Sequence, residues 1–193
     1  MDIEFRQGGY LISIHDKKEM KQSEKNVEMQ KSLGLKVDIL KPEEITDIVP
    51  ILDVKKMNAI GATFCPTDGH ANPFLTTFAF AKNAEKNGAK IITHTKVKDI
   101  KTNKKEIKEV ITDKGNIKTD TIINAAGVWA KEISNMVGID IPNKPLRKEI
   151  IATERLKPTF EAMVISFKDG IYFSQQKDGQ IVGGIPVEKK PGF

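Results

Sequence analysis

The sequence predicts a mixed α/β fold, and three stretches carry that expectation. Asn72-Pro73 opens an apolar helix that Gly88 stops, and a β-rich run, Lys90 to Val97, follows directly. From Arg147 onward the pattern is strand after strand, separated by turn signals such as Asp178-Gly179. Between them lies Asp120 to Trp129, where an apolar run ends in Ala125-Ala126-Gly127 before a further helix. A strand ending in small residues is either a tight strand-to-helix turn or a place where backbone approaches a ligand closely.

Each element has a local reason. Phe5 to Ile14 reads as strand, with Gly8-Gly9 as a bulge or close-packing point. Asp16 caps a helix running to about Leu33, ended by Gly34, with Met20, Val27 and Leu33 as its apolar anchors. Lys36 to Leu40 is a short strand. Pro42 then starts a second helix whose first turn carries Glu43 and Glu44, where the helix dipole favours acids. After the helix from Pro73, Lys90 to Val97 completes a helix–glycine–strand sequence, the second half of a βαβ unit. Ile107–Thr112 and Asn116–Thr119 form a hairpin about Asp113-Lys114-Gly115, and the strand Ile122-Ile123 leads into the Ala-Ala-Gly turn. Trp129 to Val137 is a short helix. The last strands are Lys148–Thr153, Met163–Phe167, Gly170–Gln176 and Gln180–Gly184. On the third of these, Ile171 and Phe173 face one side and Tyr172, Ser174 and Gln176 the other. That polar face is either solvated or lines a polar cavity.

Composition narrows the function classes. With 39% apolar and 30% charged residues, the chain has the balance of a soluble globular protein. Its +5 charge is mostly lysine interspersed with acids; the three arginines, Arg6, Arg147 and Arg155, make no fork-bearing basic face, so no nucleic-acid partner is expected. No apolar run spans a bilayer, no secretory leader is legible, and one cysteine, Cys65, suits a reducing compartment as a buried structural thiol; a cytoplasmic location is expected. His15, His70 and His94 lack ligand spacing, so no metal site is expected. No nucleophile elbow, no Walker loop and no Gly-x-Gly-x-x-Gly fingerprint appears.

Three ordered segments together resemble the FAD-dependent D-amino-acid oxidase superfamily, most closely the sarcosine oxidase beta subunit branch, with glycine oxidase nearby. They are Phe5-Arg6-Gln7-Gly8-Gly9-Tyr10-Leu11 with Leu40 to Ile45; Pro66-Thr67-Asp68-Gly69-His70-Ala71-Asn72-Pro73 through to Val97; and Ile122 to Trp129, continued by Pro142–Arg147 and Tyr172-Phe173-Ser174-Gln175. Lys41 stands where the family often has a capping Ser or Thr.

The resemblance implies a partial FAD-binding domain over residues 67–142, interleaved with an antiparallel-sheet substrate domain over residues 1–66 and 143–193. It implies FAD as cofactor, with Val97 offering its main chain to the adenine edge. Ala126 and Gly127 would admit the cofactor to the strand end, and Trp129 would pack beside it. Tyr172 would face the flavin ring near a small amino-acid substrate, such as sarcosine or glycine, whose CH–NH bond is oxidised. That raises the cavity reading of the Tyr172 face. The family's glycine fingerprint and its last flavin-wrapping segment are missing from this sequence, so the chain is expected to be the middle of such an enzyme. The alternative is a catalytically inactive fragment or structural subunit that needs another chain to bind FAD. Either way, missing segments or a companion subunit and self-association through uncovered apolar surface are expected.

Overall fold

The computed structural model describes residues 1–185 and divides into two units. The first takes residues 1–82 together with the described residues from 148 on; the second takes residues 83–147.

The first unit is built on a seven-stranded sheet. In chain order its strands are β1 (Tyr10–Ile14), β2 (Asp38–Leu40), β3 (Gly61–Cys65), β7 (Ile150–Arg155), β8 (Met163–Ser166), β9 (Ile171–Gln175) and β10 (Gln180–Gly184). Their order across the sheet is β2-β3-β1-β8-β9-β10-β7. Every pair is antiparallel except β1 with β8, which run parallel from Tyr10↔Met163 to Ile12↔Ile165. The expected antiparallel sheet is therefore mixed at its centre.

The larger core cluster lies on one face of the sheet. Leu11, Ala62 and Val164 project there against Ile45 of α2 (Pro42–Ile48) and Val49 just past its end, with Phe160 edge-on to Phe173 at 6.0 Å and 89°. A second small cluster seats Val27 of α1 (Lys17–Ser32) on Val37 and Cys65. Asp16 caps α1 by accepting from Lys18 N and Glu19 N. Lys41 has no side-chain acceptor, so α2 keeps only the reciprocal half of a capping box, Lys41 N donating to Glu44 Oε2 at 2.7 Å.

Several expectations are corrected. The first strand starts at Tyr10, not Phe5. Gly8 lies against the Glu161 main chain and Gly9 has φ of 84°, so the glycine pair ends the strand instead of bulging it, and Arg6 keeps only an isolated bridge to His70. Leu33 is no anchor: it is 73% exposed past the end of α1. The strand β3 and the short helix α3 (Val54–Met57) carry no clear signal in the sequence, since Gly61-Ala62-Thr63-Phe64-Cys65 is too short and mixed to show alternation.

The second unit holds a three-stranded antiparallel sheet in the order β4-β5-β6: β4 (Val97–Asn103), β5 (Glu106–Thr112) and β6 (Gly115–Lys118). The hairpin about Asp113 is in register at Thr112↔Gly115. The expected strand over Lys90–Val97 begins only at its last residue, and Ile122-Ile123 is not a strand; Ile123 is 89% exposed. Apolar, β-prone sequence makes a strand only beside another strand, and within this unit none lies next to either segment. Ile100 is the one buried apolar residue among the described residues of this unit. Helix α4 (Pro73–Lys86), which joins the units in sequence, buries no residue and exposes Phe74, Phe78 and Phe80.

Candidate functional site

The chemistry of the first unit gathers on the sheet face opposite the core. With Phe173 committed to the core, Tyr172 and Ser174 project to the other side. Cross-strand register lines them up as Ile165–Tyr172–Gly184 and, one row on, Met163, Ser174 and Val182. A Cβ at Gly184 would sit 2.4 Å from Tyr172 Cε1, so only glycine lets the phenol lie across β10. Tyr172 is 40% exposed with its ring in that position.

In the Ser174 row, next to that of Tyr172, opens a cleft of about 760 Å³, lined by Glu4, Arg6, His70, Met163, Ser174 and Gln176 among others; Tyr172 itself is not in its lining. Its wall is the loop before α4, tied to the N-terminal segment by main chain. Arg6 N donates to His70 O at 2.8 Å and His70 N to Arg6 O at 2.9 Å; Gly9 N reaches Asp68 O and Asn72 N reaches Ile3 O. Asn72 also caps α4 through Oδ1 and donates to Glu4 Oε2. Arg6 donates to the Gln175 carbonyl at 3.0 Å. The imidazole nitrogens of His70 are shielded from solvent and have no hydrogen-bond partner. Burial, and then the Arg6 charge, hold the His70 imidazolium below the usual histidine range, so the ring stands neutral near pH 7. The sequence assigns His70 no role; bridge geometry, not spacing, is what brings it beside Arg6. Sequence alone also misses Arg6 as a lining residue, whereas Ser174 and Gln176 lie on the face for which it offers a cavity.

A second polar group lies elsewhere in this unit. The His15 ring is fully buried; Nδ1 meets Met57 O at 3.0 Å, and Nε2 meets Ser13 Oγ at 2.9 Å and Ser166 Oγ at 3.2 Å. Ser166 Oγ in turn donates to Asp169 Oδ2 at 2.6 Å. The main-chain oxygen on Nδ1 and the interstrand placement make this a packing network that ties β1, β8 and α3.

In the second unit, Ala126 and Gly127 sit at a turn that Asn124 organises. Its Oδ1 accepts Ala126 N, and its Nδ2 donates to Ala130 O at 2.8 Å and Ser134 Oγ at 3.0 Å, pinning the turn to α5 (Ala130–Asn135). Gly127 has φ of 55°, begins a 3-10 turn to Trp129 and has open space where a Cβ would stand. Trp129 is 57% exposed. Val97 begins β4, an edge strand. Lys96 exchanges both main-chain bonds with Asp113, as its N–H reaches Asp113 Oδ1 and its C=O accepts Asp113 N. By strand alternation, the N–H and C=O of Val97 then point away from β5, to the open edge. A free amide pair on an edge and an uncovered glycine turn are what a flat heteroaromatic edge and a close-lying cofactor require. The residues therefore fit FAD. Among the described residues, no group of three His, Cys, Asp or Glu could hold a metal ion, and no helix is long and apolar enough to cross a membrane.

A mixed sheet with a polar face in one unit, and a glycine turn and an open strand edge in the other, suit a flavin-dependent oxidoreductase scaffold. Comparison with known proteins makes this specific: residues 1–191 match the family described as FAD dependent oxidoreductase, and the chain belongs to that family. It superposes on L-proline dehydrogenase from P. horikoshii with a TM-score of 0.92 and 40% identity, over 99% of this chain and 52% of that one. It is 30% identical to mitochondrial dimethylglycine dehydrogenase of Mus musculus over 158 residues, which cover 79% of this chain and 18% of the mouse protein. The sarcosine oxidase subunit beta of an Arthrobacter species is 25% identical over the whole chain and 48% of its own length. The chain thus spans about half of two of these relatives and about a fifth of the third.

Proposed function

We propose that this chain forms the substrate-sheet and adenine-side part of an FAD-dependent oxidoreductase that oxidises the CH–NH bond of a small amino acid. The relatives' activities, on proline, dimethylglycine and sarcosine, support that substrate class. The observation that carries it is the Tyr172 face: a phenol held flat by Gly184, with Ser174 of the same face lining a polar cleft, in a chain of this family.

The chemistry that bound FAD would supply is acceptance of a hydride equivalent from the carbon beside the amine. This chain's residues bind and orient. Val97 would offer its outward N–H and C=O to the adenine edge; Ala126 and Gly127 would leave room for the cofactor's close approach; Trp129 would pack beside it. Tyr172 would stand over the reacting end of the amino acid, its hydroxyl free to donate to the substrate. Residues 67–142 would contribute to the cofactor side, and residues 1–66 and 143–193 to the substrate side.

The chain's share of its relatives' length favours a second element: FAD binding completed by further polypeptide, in cis or as a companion subunit. The subunit name of the Arthrobacter relative is in keeping with this. The test is FAD titration of the 193-residue chain by flavin fluorescence, with Gly127→Val alongside. Weak binding that Gly127→Val abolishes supports the reading. Binding that survives Gly127→Val unchanged rejects the placement of FAD at this turn.

A further inference from the structure

We propose that Arg6 and His70 form a carboxylate-binding end of the cleft, Arg6 supplying the charge and His70 a neutral N–H. This assigns two residues to the site and rests on the reading of the cleft as the amino-acid pocket.

Four observations carry it. First, Arg6 and His70 are partners in an antiparallel bridge, and residues directly opposite in such a bridge project to the same side. Both line the cleft. Second, the Arg6 guanidinium has donors to spare. Its side chain is only 16% exposed, yet NH1 makes one bond, to Gln175 O, and NH2 reaches Glu161 only at 3.8 Å. Guanidinium has five N–H donors in a fork that matches a carboxylate, and the Glu161 side chain is 74% exposed, a partner that a ligand displaces readily. Third, both ring nitrogens of His70 are buried without partners. Buried polar groups are paired as a rule, so an orphaned imidazole at a cleft marks a partner that arrives with the ligand. The ring makes no hydrogen bond, so turning a nitrogen toward the ligand would cost none. Fourth, the main chain on both sides is pinned. Gly69 has its Cα so close to Arg6 O that a Cβ would lie 2.4 Å from it, and four main-chain bonds hold the two segments together. The pair is preorganised.

The other charges at the cleft are committed or of mixed sign. Glu4 accepts from Asn72, Asp178 pairs with Arg155, and Lys177 also lines the cleft. Arg6 is the cation placed on the wall beside an unpartnered donor. The ligand class is a small carboxylate, such as that of an amino acid, with its carboxylate at Arg6 and the rest of the molecule toward Ser174.

The test uses the 193-residue chain, with sodium acetate, methylamine and sarcosine as probes. The His70 imidazole resonances and the amides of Ala71 and Ser174 are followed by NMR, and the His15 ring serves as an internal check of folding. Acetate and sarcosine shift these signals saturably and methylamine does not. Arg6→Gln and Arg6→Lys each weaken acetate about tenfold or more, lysine because it lacks the fork. His70→Phe weakens acetate as well, read on the two amides. Glu161→Gln, which removes the competing carboxylate, tightens acetate up to about threefold. That gain cannot come from a damaged fold. If Arg6→Gln disturbs the His15 ring, Arg6→Lys carries the comparison. Absence of any acetate shift, an equal response to methylamine, or acetate binding indifferent to both Arg6 variants overturns the proposal. FAD titration in parallel separates the two readings. Bound FAD with no acetate site removes only this inference; an acetate site with no response to Gly127→Val removes only the flavin placement.

Discussion

Gln175→Met tests how the cleft is supported. The Gln175 side chain is 1% exposed and works as a strut. Its Oε1 accepts Thr159 N at 2.7 Å, and its Nε2 donates to Lys157 O and Gly179 O, both at 3.0 Å. The same residue's carbonyl seats Arg6. Methionine has similar length and shape, so little cavity forms and the change isolates the hydrogen bonds. Gly179 O retains Leu156 N, so the shorter bonds leave two orphans, Thr159 N–H and Lys157 O, besides the longer 3.4 Å contact of Phe160 N–H. At about 1–3 kcal/mol each the loss is about 2–6 kcal/mol, a large part of the about 5–15 kcal/mol that holds a typical domain together. With a urea slope of about 2 kcal/mol/M, the midpoint falls by roughly 1–3 M. The single tryptophan, Trp129, lies in the second unit, so its fluorescence reports the wrong region. Methyl resonances of Leu11 and Val164, both in the core beneath Gln175's sheet, are the probe. A loss below about 1 kcal/mol would show that water or loop movement satisfies the two groups, and the strut account would fall. Gln175→Glu sharpens the test. One oxygen keeps the Thr159 bond, but the other faces two carbonyls, so the buried acid is favoured in its protonated form. Its folded pKa is raised, and its contribution is present at low pH and lost as pH rises through that value. The variant is expected to recover stability on acidification, which the methionine variant does not.

The same geometry makes three further predictions. Gly184→Ala pushes a methyl into the Tyr172 ring, so Tyr172 resonances shift while the core methyls stay; unchanged Tyr172 signals would refute the role given to Gly184. His70 titrates below its unfolded value of about 6.5, because burial and Arg6 disfavour the imidazolium; the unfolded chain takes up the proton first, so stability is full above that value and falls as pH drops below it. His70→Asn is expected to flatten that acid limb in urea midpoints measured from about pH 7.5 to about pH 5, and an unchanged slope would contradict the assignment. Phe74, Phe78 and Phe80 of α4, each more than half exposed, together with Ile123 and Trp129, are expected to drive self-association; replacing the three phenylalanines with serine lowers the mass seen by light scattering, and a monodisperse monomer before substitution would rule this out.

Much of the fold was legible because its signals are local. Asp16, Pro42 and Asn72-Pro73 fix helix starts through capping and the proline ring, and Asp178-Gly179 fixes the β9–β10 turn, whatever lies around them. Tyr172, Ser174 and Phe173 were sorted onto two faces by alternation alone, and the sheet keeps that sorting. Segments that depend on neighbours were not legible. Ile122-Ile123 and Lys90–Thr95 have strand composition but no strand to pair with in their unit, and Gly61–Cys65 has little strand signature yet pairs on both sides.

The order of residues along the chain settled the helix caps, the turn positions, the alternation of the Tyr172 strand and the family, because each depends on groups a few residues apart or on motifs in series. Tertiary structure alone decided that β1 meets β8 in parallel, that Arg6 stands across from His70, and that Gln175 props the loop above them. The nearest of these partners are 16 positions apart in the chain, and the farthest are separated by most of its length. What selects them is burial of apolar surface and the need of each buried polar atom for a partner, and both are properties of the folded interior.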